Sequence, residues 1–309
     1  MIGAAKRKSD PFDEVFDVDV AGGPLRVARA GPPPGEADSV VLAVHGVTAS
    51  LMTWRSIART LGADSRVCLL APDLRGRGRS ATLPGPYGVA AHVDDLIAVL
   101  DHAGARQAVL AGHSLGAYVV ARLAAEHPER AAGLVLLDAG LPLPPPDDGD
   151  ELLEMSVENS IMRLGITFPS VEAYVAGWRA HPAFAKAWDE DVDAYARYDL
   201  VEAEDGVRCV ASAAAVRTDT SEMVFNEETR SALAHVCRLG RVYVLRAERG
   251  LFDDADDALI PLADLHAFAT AHPEAHVEEV ADVNHYTLVM GHSPGPARVT
   301  AAIAAACAG

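Results

Sequence analysis

The chain has 309 residues, half of them hydrophobic, which is enough for one large α/β domain with an insertion or for two small domains. Its formal net charge of −18 argues against nucleic acid or an anionic membrane as a partner. No run of about 18 apolar residues is present that could span a membrane. The basic start of the chain also lacks the apolar run of a secretory signal.

The cysteines give no sign of a metal site. All four are scattered without the spacing of metal ligands: Cys68, Cys209, Cys237 and Cys307. Reduced thiols of this kind are typical of a cytoplasmic protein, which is the location that we predict. We expect neither a metal nor a cofactor.

The first part of the chain alternates between strand and helix patterns. Continuous apolar runs indicate strands buried on both faces, and apolar residues at a spacing of three and four indicate amphipathic helices. In chain order the predicted elements are a hairpin at 15–21 and 25–30, a strand at 40–44, a helix at 54–61, a strand at 66–71 and a helix at 89–103.

A loop rich in glycine and arginine, 72–80, follows the strand predicted at 66–71. It could be mistaken for a phosphate cradle. It lacks the Lys-Ser/Thr pair of a P-loop and no helix follows it directly, so we do not predict phosphate binding.

The most informative motif is Gly112-His113-Ser114-Leu115-Gly116, which fits the Gly-x-Ser-x-Gly pattern of a nucleophile elbow. A short apolar strand at 107–111 precedes it, and an Ala-rich helix at 115–127 follows it until Pro128. The glycines allow backbones to pass closely at a strained turn. The start of the helix favours the negative charge that develops at the serine.

The second half of the chain contains a block of different texture. A strand at 133–137 ends at Asp138, and a Pro- and Asp-rich break covers 141–150. Helical segments with most of the large aromatic residues then run to about 235. This block is either an ordinary helical subdomain or a lid over an active site, and both descriptions can hold together.

Strand and helix patterns return after this block, with a strand at 242–245, a helix at 262–271, a strand at 277–280 and a last Ala-rich helix. The alternation predicts an α/β fold: a mostly parallel eight-stranded sheet with helices on both faces. We predict a core domain formed by 1–140 and 236–309, and a helical cap or lid domain at 141–235.

A serine hydroxyl is a poor nucleophile unless an imidazole acts as its base and a carboxylate orients that imidazole. In parallel sheets such groups gather beyond the carboxyl ends of the strands. His285 is placed there by chain order, after the last strand. We expect His113, the variable residue of the elbow, to point away from the site, and His45 to order a loop rather than to transfer protons.

These motifs, taken together and in order, resemble the α/β-hydrolase superfamily over about residues 15 to 305. They are His45-Gly46, Asp73-x-Arg75-Gly76-x-Gly78-x-Ser80, the elbow and the late His285. The resemblance implies that Ser114 is the nucleophile and His285 the base, and that the backbone N–H groups of Val47 and Leu115 form an oxyanion hole. A serine at the elbow argues against relatives that use aspartate there, the haloalkane dehalogenases and epoxide hydrolases.

The carboxylate partner of His285 is left open between three aspartates. Relatives usually place it after the strand that follows the cap, where the loop is longer than usual and offers Asp253 and Asp257. A minority place it after the strand before the cap, where Asp138 lies 24 residues after Ser114. We favour Asp138, with Asp253 as the alternative.

The predicted function is hydrolysis of a carboxylic ester or lactone of a bulky apolar small molecule, with Trp178 and Trp188 of the cap as pocket walls. A thioesterase or a C–C bond hydrolase would use the same catalytic residues. A non-catalytic ligand receptor on the same fold is a different class of protein. The oligomeric state stays open, with a homodimer among the options.

Overall fold

The computed structural model describes residues 10–62, 65–141, 161–162, 164–237 and 240–308. Its strands are β1 (Glu14–Val20), β2 (Gly23–Ala30), β3 (Ser39–Val44), β4 (Val67–Pro72), β5 (Ala108–His113), β6 (Ala131–Leu137), β7 (Thr167–Phe168), β8 (Leu200–Ala203), β9 (Gly206–Cys209), β10 (Val242–Arg249) and β11 (His276–Asn284).

Eight of these strands form the central sheet, in the order β1-β2-β4-β3-β5-β6-β10-β11. The six strands from β4 to β11 in this order pair in parallel. The first two strands form the predicted hairpin and join the sheet in antiparallel orientation. The prediction of a mostly parallel eight-stranded sheet is therefore confirmed.

Helices cover both faces of this sheet. In chain order, the helices whose bounds the structure describes are α1 (Arg55–Leu61), α2 (Val89–His102), α3 (Leu115–Glu126), α4 (Val171–Arg179), α5 (Glu190–Tyr198), α6 (Ala213–Phe225), α7 (Glu227–Val236), α8 (Leu262–Ala271) and α9 (Gly295–Cys307). Alternate residues of β3 show the two layers: Leu42 and Val44 join the core that packs on α2 and α3, whereas Val41 and Ala43 join the core that packs on α1 and α9.

Residues 161–237, which we call the middle segment, carry α4 to α7 and a second, three-stranded sheet. The helices agree with the sequence pattern, but the strands β7, β8 and β9 were not predicted. They are two to four residues long, too short for a periodic pattern. The available signal was the dipeptide Asp205-Gly206 between two short apolar runs, which favours a tight hairpin.

Two sequence expectations fall outside the described residues. They are the break at 141–150, apart from Leu141, and the chain start, apart from Asp10. All four cysteines are free thiols. None of the helices in the described ranges has the length and apolar character needed to cross a membrane.

Buried polar contacts attach the middle segment to α1 and to the loop after β4. Asp191 of α5 forms ion pairs with Arg55 and Arg59 at 3.0 and 2.7 Å. Tyr198, at the end of the same helix, donates its hydroxyl hydrogen to Asp73 over 2.7 Å. The next residue, Asp199, is buried as well.

Asp73 and Asp199 bring two carboxyl groups into this buried junction. Burial raises the pKa of Asp73 to about 6, although hydrogen bonds from backbone N–H groups oppose the shift. Burial and then the nearby Asp73 raise the pKa of Asp199 to about 8. Asp199 therefore keeps its proton in the folded protein at a pH where the unfolded chain has released it.

This difference makes stability depend on pH with a defined sign. The unfolded pKa of an aspartate is about 3.9, so the folded chain binds more protons between that value and about 8. The free energy of unfolding should therefore fall as the pH rises through this window, by at most about 1.4 kcal/mol per pH unit for this group. Asp199→Asn removes this titration. The thermal midpoint of the variant minus that of the wild type should therefore increase from pH 5 to pH 8. The exposed Asp256→Asn is the control, and a constant difference between Asp199→Asn and wild type across this range would contradict the expectation.

Candidate active site

The turn between β5 and α3 has the strained geometry that presents a nucleophile. Ser114 has φ 56° and ψ −126°, a conformation that is rare for a residue with a side chain. A Cβ atom at Gly112 would lie 2.2 Å from the Gly116 carbonyl oxygen, and one at Gly116 would lie 2.1 Å from the Val44 oxygen. Both positions therefore require glycine, as the sequence motif predicts.

His285 follows β11 directly and forms a close pair with Asp138, which follows β6. The His285 Nδ1 atom lies 2.8 Å from Asp138 Oδ2, and both residues are buried. The other oxygen, Oδ1, accepts the backbone N–H of Ala247 over 2.9 Å. A carboxylate at this distance places the proton of a neutral imidazole on Nδ1 and leaves Nε2 free to accept one.

The two other candidate aspartates have different contacts. Asp253 accepts a hydrogen bond from Asn284 Nδ2 over 3.1 Å and lies 3.9 Å from Arg249. Asp257 is exposed in a short turn of 3₁₀ helix. Of the three, Asp138 is the one that contacts His285.

Asn284 holds the backbone that follows His285 and was not singled out from the sequence. Its Oδ1 atom accepts the N–H groups of Tyr286 and Thr287, each over 3.0 Å. Its Nδ2 atom donates to the Ala183 carbonyl over 2.9 Å. The signal was its place beside a candidate base, in a loop where asparagine commonly bonds to the backbone two residues ahead.

The expectation that His113 points away from the site is wrong. Its ring packs against the His285 ring with centroids 4.4 Å apart, and its Nε2–H donates to the His285 carbonyl oxygen over 2.9 Å. Burial, and then the neighbouring His285, lower the pKa of His113 well below its ordinary value. A neutral His113 thus supports the loop that carries His285 without repelling an imidazolium.

His45 orders the loop that contains Val47. Its Nδ1–H donates to the Gly46 carbonyl over 2.8 Å, and its Nε2 accepts the Leu74 N–H over 3.0 Å. Burial lowers the pKa of His45 to about 3, so the ring stays neutral and does not act as a proton carrier at ordinary pH. Because the Gly46 carbonyl and the Val47 N–H belong to one trans peptide plane, His45 fixes the direction of that N–H as well.

Leu115 is the first residue of α3, so its N–H is one of those at a helix start that have no partner within the helix. The positive end of the helix dipole lies at the same place. Gly46 approaches Ser114 so closely that an added Cβ would lie 3.0 Å from the serine Cβ. The loop of Val47 and the start of α3 therefore meet at Ser114.

A cavity of about 140 Å³ lies between this loop and the middle segment. Its walls are mainly apolar and aromatic: Thr48, Leu164, Phe168, Tyr174, Gly177, Trp178, His181 and Cys209. Trp178 also packs edge-on against Tyr286, the neighbour of His285, with centroids 5.8 Å apart. Trp188 is not among these walls and packs instead on Phe184 and under the guanidinium of Arg179.

Comparison with known proteins agrees with this geometry. A family model described as the alpha/beta hydrolase fold matches residues 39–163. The solved thioesterase domain from the curacin biosynthetic pathway superposes with a TM-score of 0.74, covering 94% of this chain and 99% of that one at 19% identity. The chain therefore has the α/β-hydrolase fold.

Two proteins of Mycobacterium tuberculosis are similar to this chain in sequence. Lipase LipV is 38% identical over 131 residues, which is 42% of this chain and 46% of the lipase. Epoxide hydrolase B is 40% identical over 111 residues, which is 35% of this chain and 31% of that enzyme. The matched stretches thus span less than half of these relatives.

Proposed function

We propose that this α/β hydrolase is a serine hydrolase that cleaves a carboxylic ester or lactone of a bulky, largely apolar small molecule through an acyl-enzyme. The observation that carries the proposal is the 2.8 Å contact between His285 Nδ1 and Asp138 Oδ2. It is supported by the strained elbow geometry of Ser114. The mechanism uses no metal and no cofactor.

In the first half of the proposed reaction, Ser114 Oγ attacks the ester carbonyl carbon while His285 Nε2 takes the hydroxyl proton. Asp138 stabilises the imidazolium that forms. Collapse of the tetrahedral intermediate breaks the bond to the leaving alkoxide, which receives its proton from His285. Water then attacks the acyl-enzyme with His285 as base, and the carboxylic acid and free Ser114 are released.

Negative charge collects on the carbonyl oxygen in both halves of this reaction. The N–H groups of Val47 and Leu115 are the proposed donors, and the start of α3 adds the favourable end of a helix dipole. Donors fixed before the reaction need no rearrangement when charge develops, which is the main source of their effect on rate.

The similarity to an epoxide hydrolase does not extend the proposal to epoxides. Attack of a serine hydroxyl on an epoxide carbon would give an ether, which water cannot cleave under these conditions. A carboxylate nucleophile would give an ester, which can be hydrolysed. The elbow of this chain carries Ser114 at that position.

We propose that the middle segment acts as a lid that shapes the acyl site. A cavity of about 140 Å³ is close in size to an engineered apolar cavity of about 150 Å³ that holds benzene. The site should therefore accept a ring or several methylene groups, and each Å² of apolar surface buried there contributes about 25 cal/mol.

Trp178→Ala tests this pocket, with Trp188→Ala as the matched control. Removing a wall that covers roughly 60–100 Å² of ligand should lower kcat/KM for a hexanoate ester by about 10- to 70-fold. The value for an acetate ester should change much less. Trp188→Ala should leave the ratio between the two esters unchanged, because Trp188 does not line the cavity. A wild-type preference for acetate over the hexanoate ester and a macrocyclic lactone would contradict the proposed substrate class.

Reaction with a fluorophosphonate probe separates the enzyme from a non-catalytic receptor. An activated serine should be labelled within minutes, and the modified peptide should contain Ser114. A receptor whose serine is not activated should label slowly or not at all. Absence of labelling in folded protein would overturn the proposed function.

A further inference from the structure

We propose that Arg77 and Asp219 are positioning residues for the oxyanion hole: helix α6 of the middle segment supplies the counter-ion of a buried arginine that holds the Val47 carbonyl. This inference rests on the proposed function. It extends that function because the lid then has two roles. It forms a wall of the substrate pocket, and it holds the loop that contains Val47 in place.

Arg77 is fully buried and bonds directly to the loop at 45–50 that contains Val47, which we call the oxyanion loop. Its Nε–H donates to the Val47 carbonyl oxygen over 2.9 Å, and its Nη1 donates to the Arg75 carbonyl over 3.0 Å. Burial lowers the pKa of Arg77 from its ordinary value, which shows how strongly this charge depends on a partner.

The partner comes from the middle segment. Asp219 of α6 is also fully buried, and its Oδ2 atom lies 2.5 Å from Arg77 Nη1 and 2.9 Å from His92 Nε2. Its Oδ1 atom accepts the Gly88 N–H over 2.7 Å, at the start of α2. The pKa of Asp219 lies below its ordinary value. Burial alone would raise this pKa, but the nearby His92 and Arg77 lower it by more, so the carboxylate is ionised and forms an ion pair with Arg77.

A second contact holds α6 against the loop at 72–80, which contains Arg77. The N–H of Ser212, which caps α6, donates to the Gly76 carbonyl over 2.8 Å. Near the end of the helix, Glu222 accepts the Val89 N–H over 2.6 Å. The helix is thus attached beside Arg77 and at the start of α2, and Asp219 lies between these two points.

These contacts act on the two peptide planes that flank Val47. His45 holds the plane that contains the Val47 N–H, and Arg77 holds the plane that follows it. Loss of the hydrogen bond from Arg77 would let the Val47 Cα shift and would turn the Val47 N–H away from the substrate oxygen. An oxyanion donor that is displaced by a fraction of an ångström loses much of its effect, because the hydrogen bond must be in place when charge develops.

Asp219→Asn tests the inference, with Asp95→Asn as the matched control. Asp95 pairs with Arg75, a second buried arginine of the same loop, at 2.6 Å. Arg75 donates its other hydrogen bonds to the carbonyls of Ala21, Pro84 and Pro86 and not to Val47. Both variants remove the charge of a buried counter-ion, so both should lower the thermal midpoint, but only Asp219→Asn should disturb the oxyanion loop.

The measurements are kcat and KM for a p-nitrophenyl ester, and the Kd of a trifluoromethyl ketone, which forms a tetrahedral oxyanion on the serine. Removal of one oxyanion donor lowers kcat by about 10²- to 10³-fold in other enzymes. We expect Asp219→Asn to lower kcat about 100-fold while KM stays within about threefold of the wild-type value. The Kd of the trifluoromethyl ketone should rise about 100-fold as well. Asp95→Asn should stay within about threefold of wild type in kcat.

Arg77→Lys is the second variant, in case Asp219→Asn does not fold. A lysine keeps the ion pair with Asp219 but lacks the Nε–H that bonds to Val47. It should show the same fall in kcat in a folded protein. Wild-type kcat in folded Arg77→Lys, or equal losses in Asp219→Asn and Asp95→Asn, would overturn the inference while wild-type activity upholds the proposed function. A wild type that neither hydrolyses esters nor reacts with the fluorophosphonate would overturn the proposed function itself.

Discussion

Ser114→Ala should abolish hydrolysis of a p-nitrophenyl ester while the protein keeps its fold. Loss of the nucleophile in a serine triad costs on the order of 10⁶ in kcat, because the remaining residues cannot form the acyl-enzyme. The substitution removes one oxygen from a half-buried side chain and leaves the glycines of the elbow unchanged. We therefore expect the thermal midpoint to stay close to that of the wild type.

The residual activity of Ser114→Ala carries the mechanistic information. Hydrolysis at the level of the oxyanion hole and binding alone, roughly 10³- to 10⁴-fold above water, is consistent with direct attack by water. Retention of a tenth of the wild-type rate would contradict the assignment of Ser114. The matched control is Ser231→Ala on α7, whose hydroxyl donates to the Glu227 carbonyl of the same helix, and which should leave the bond-making step intact.

The fold was predictable because the central strands of its sheet are buried on both faces. In a parallel sheet the residues between turns are almost all apolar, so β3 and β5 stand out as continuous runs. The elbow was predictable for a related reason. Only glycine fits at 112 and 116, where a Cβ would meet backbone oxygen, so the constraint is written into the residues themselves.

The acid could not be decided from the sequence because it depends on which strands are neighbours. Asp138 lies next to β10 only once β6 and β10 pair, and its N–H then donates to the Leu245 carbonyl over 2.7 Å. Counting along the loop after β10 cannot reveal this pairing. Asp253, the alternative, lies near the site but bonds to Asn284.

The contacts of His113 and Arg77 could not be predicted from the sequence for a similar reason. The direction of the His113 side chain depends on the positive φ of Ser114 and on the return of the chain at His285. Arg77 belongs to a loop that was set aside as a poor phosphate site. Its partner Asp219 comes from a distant part of the chain, so no local pattern connects them.

Asp138→Asn should lower kcat by roughly 10⁴, whereas Asp253→Asn should lower it by less than about tenfold. An asparagine keeps the shape of the carboxylate, but its amide cannot stabilise the imidazolium that forms during attack. With Oδ1 still accepting the Ala247 N–H, the NH₂ group faces His285 Nδ1. The ring then accepts at Nδ1 and carries its proton on Nε2, the wrong tautomer for a base, which costs about 10⁴ in kcat in a serine protease.

The comparison between these two variants distinguishes an effect on the histidine from an effect on the loop. Asp253→Asn keeps an acceptor for Asn284 Nδ2, so the backbone around His285 should stay in place and the loss should be small. Both variants must first show cooperative unfolding, because Asp138 is buried and its loss also affects stability. If Asp253→Asn is inactive and Asp138→Asn is active, the acid is Asp253, and the 2.8 Å contact of Asp138 with His285 is only structural. A fall of about 10⁴ in Asp138→Asn alone would instead identify a triad whose acid follows the strand before the lid.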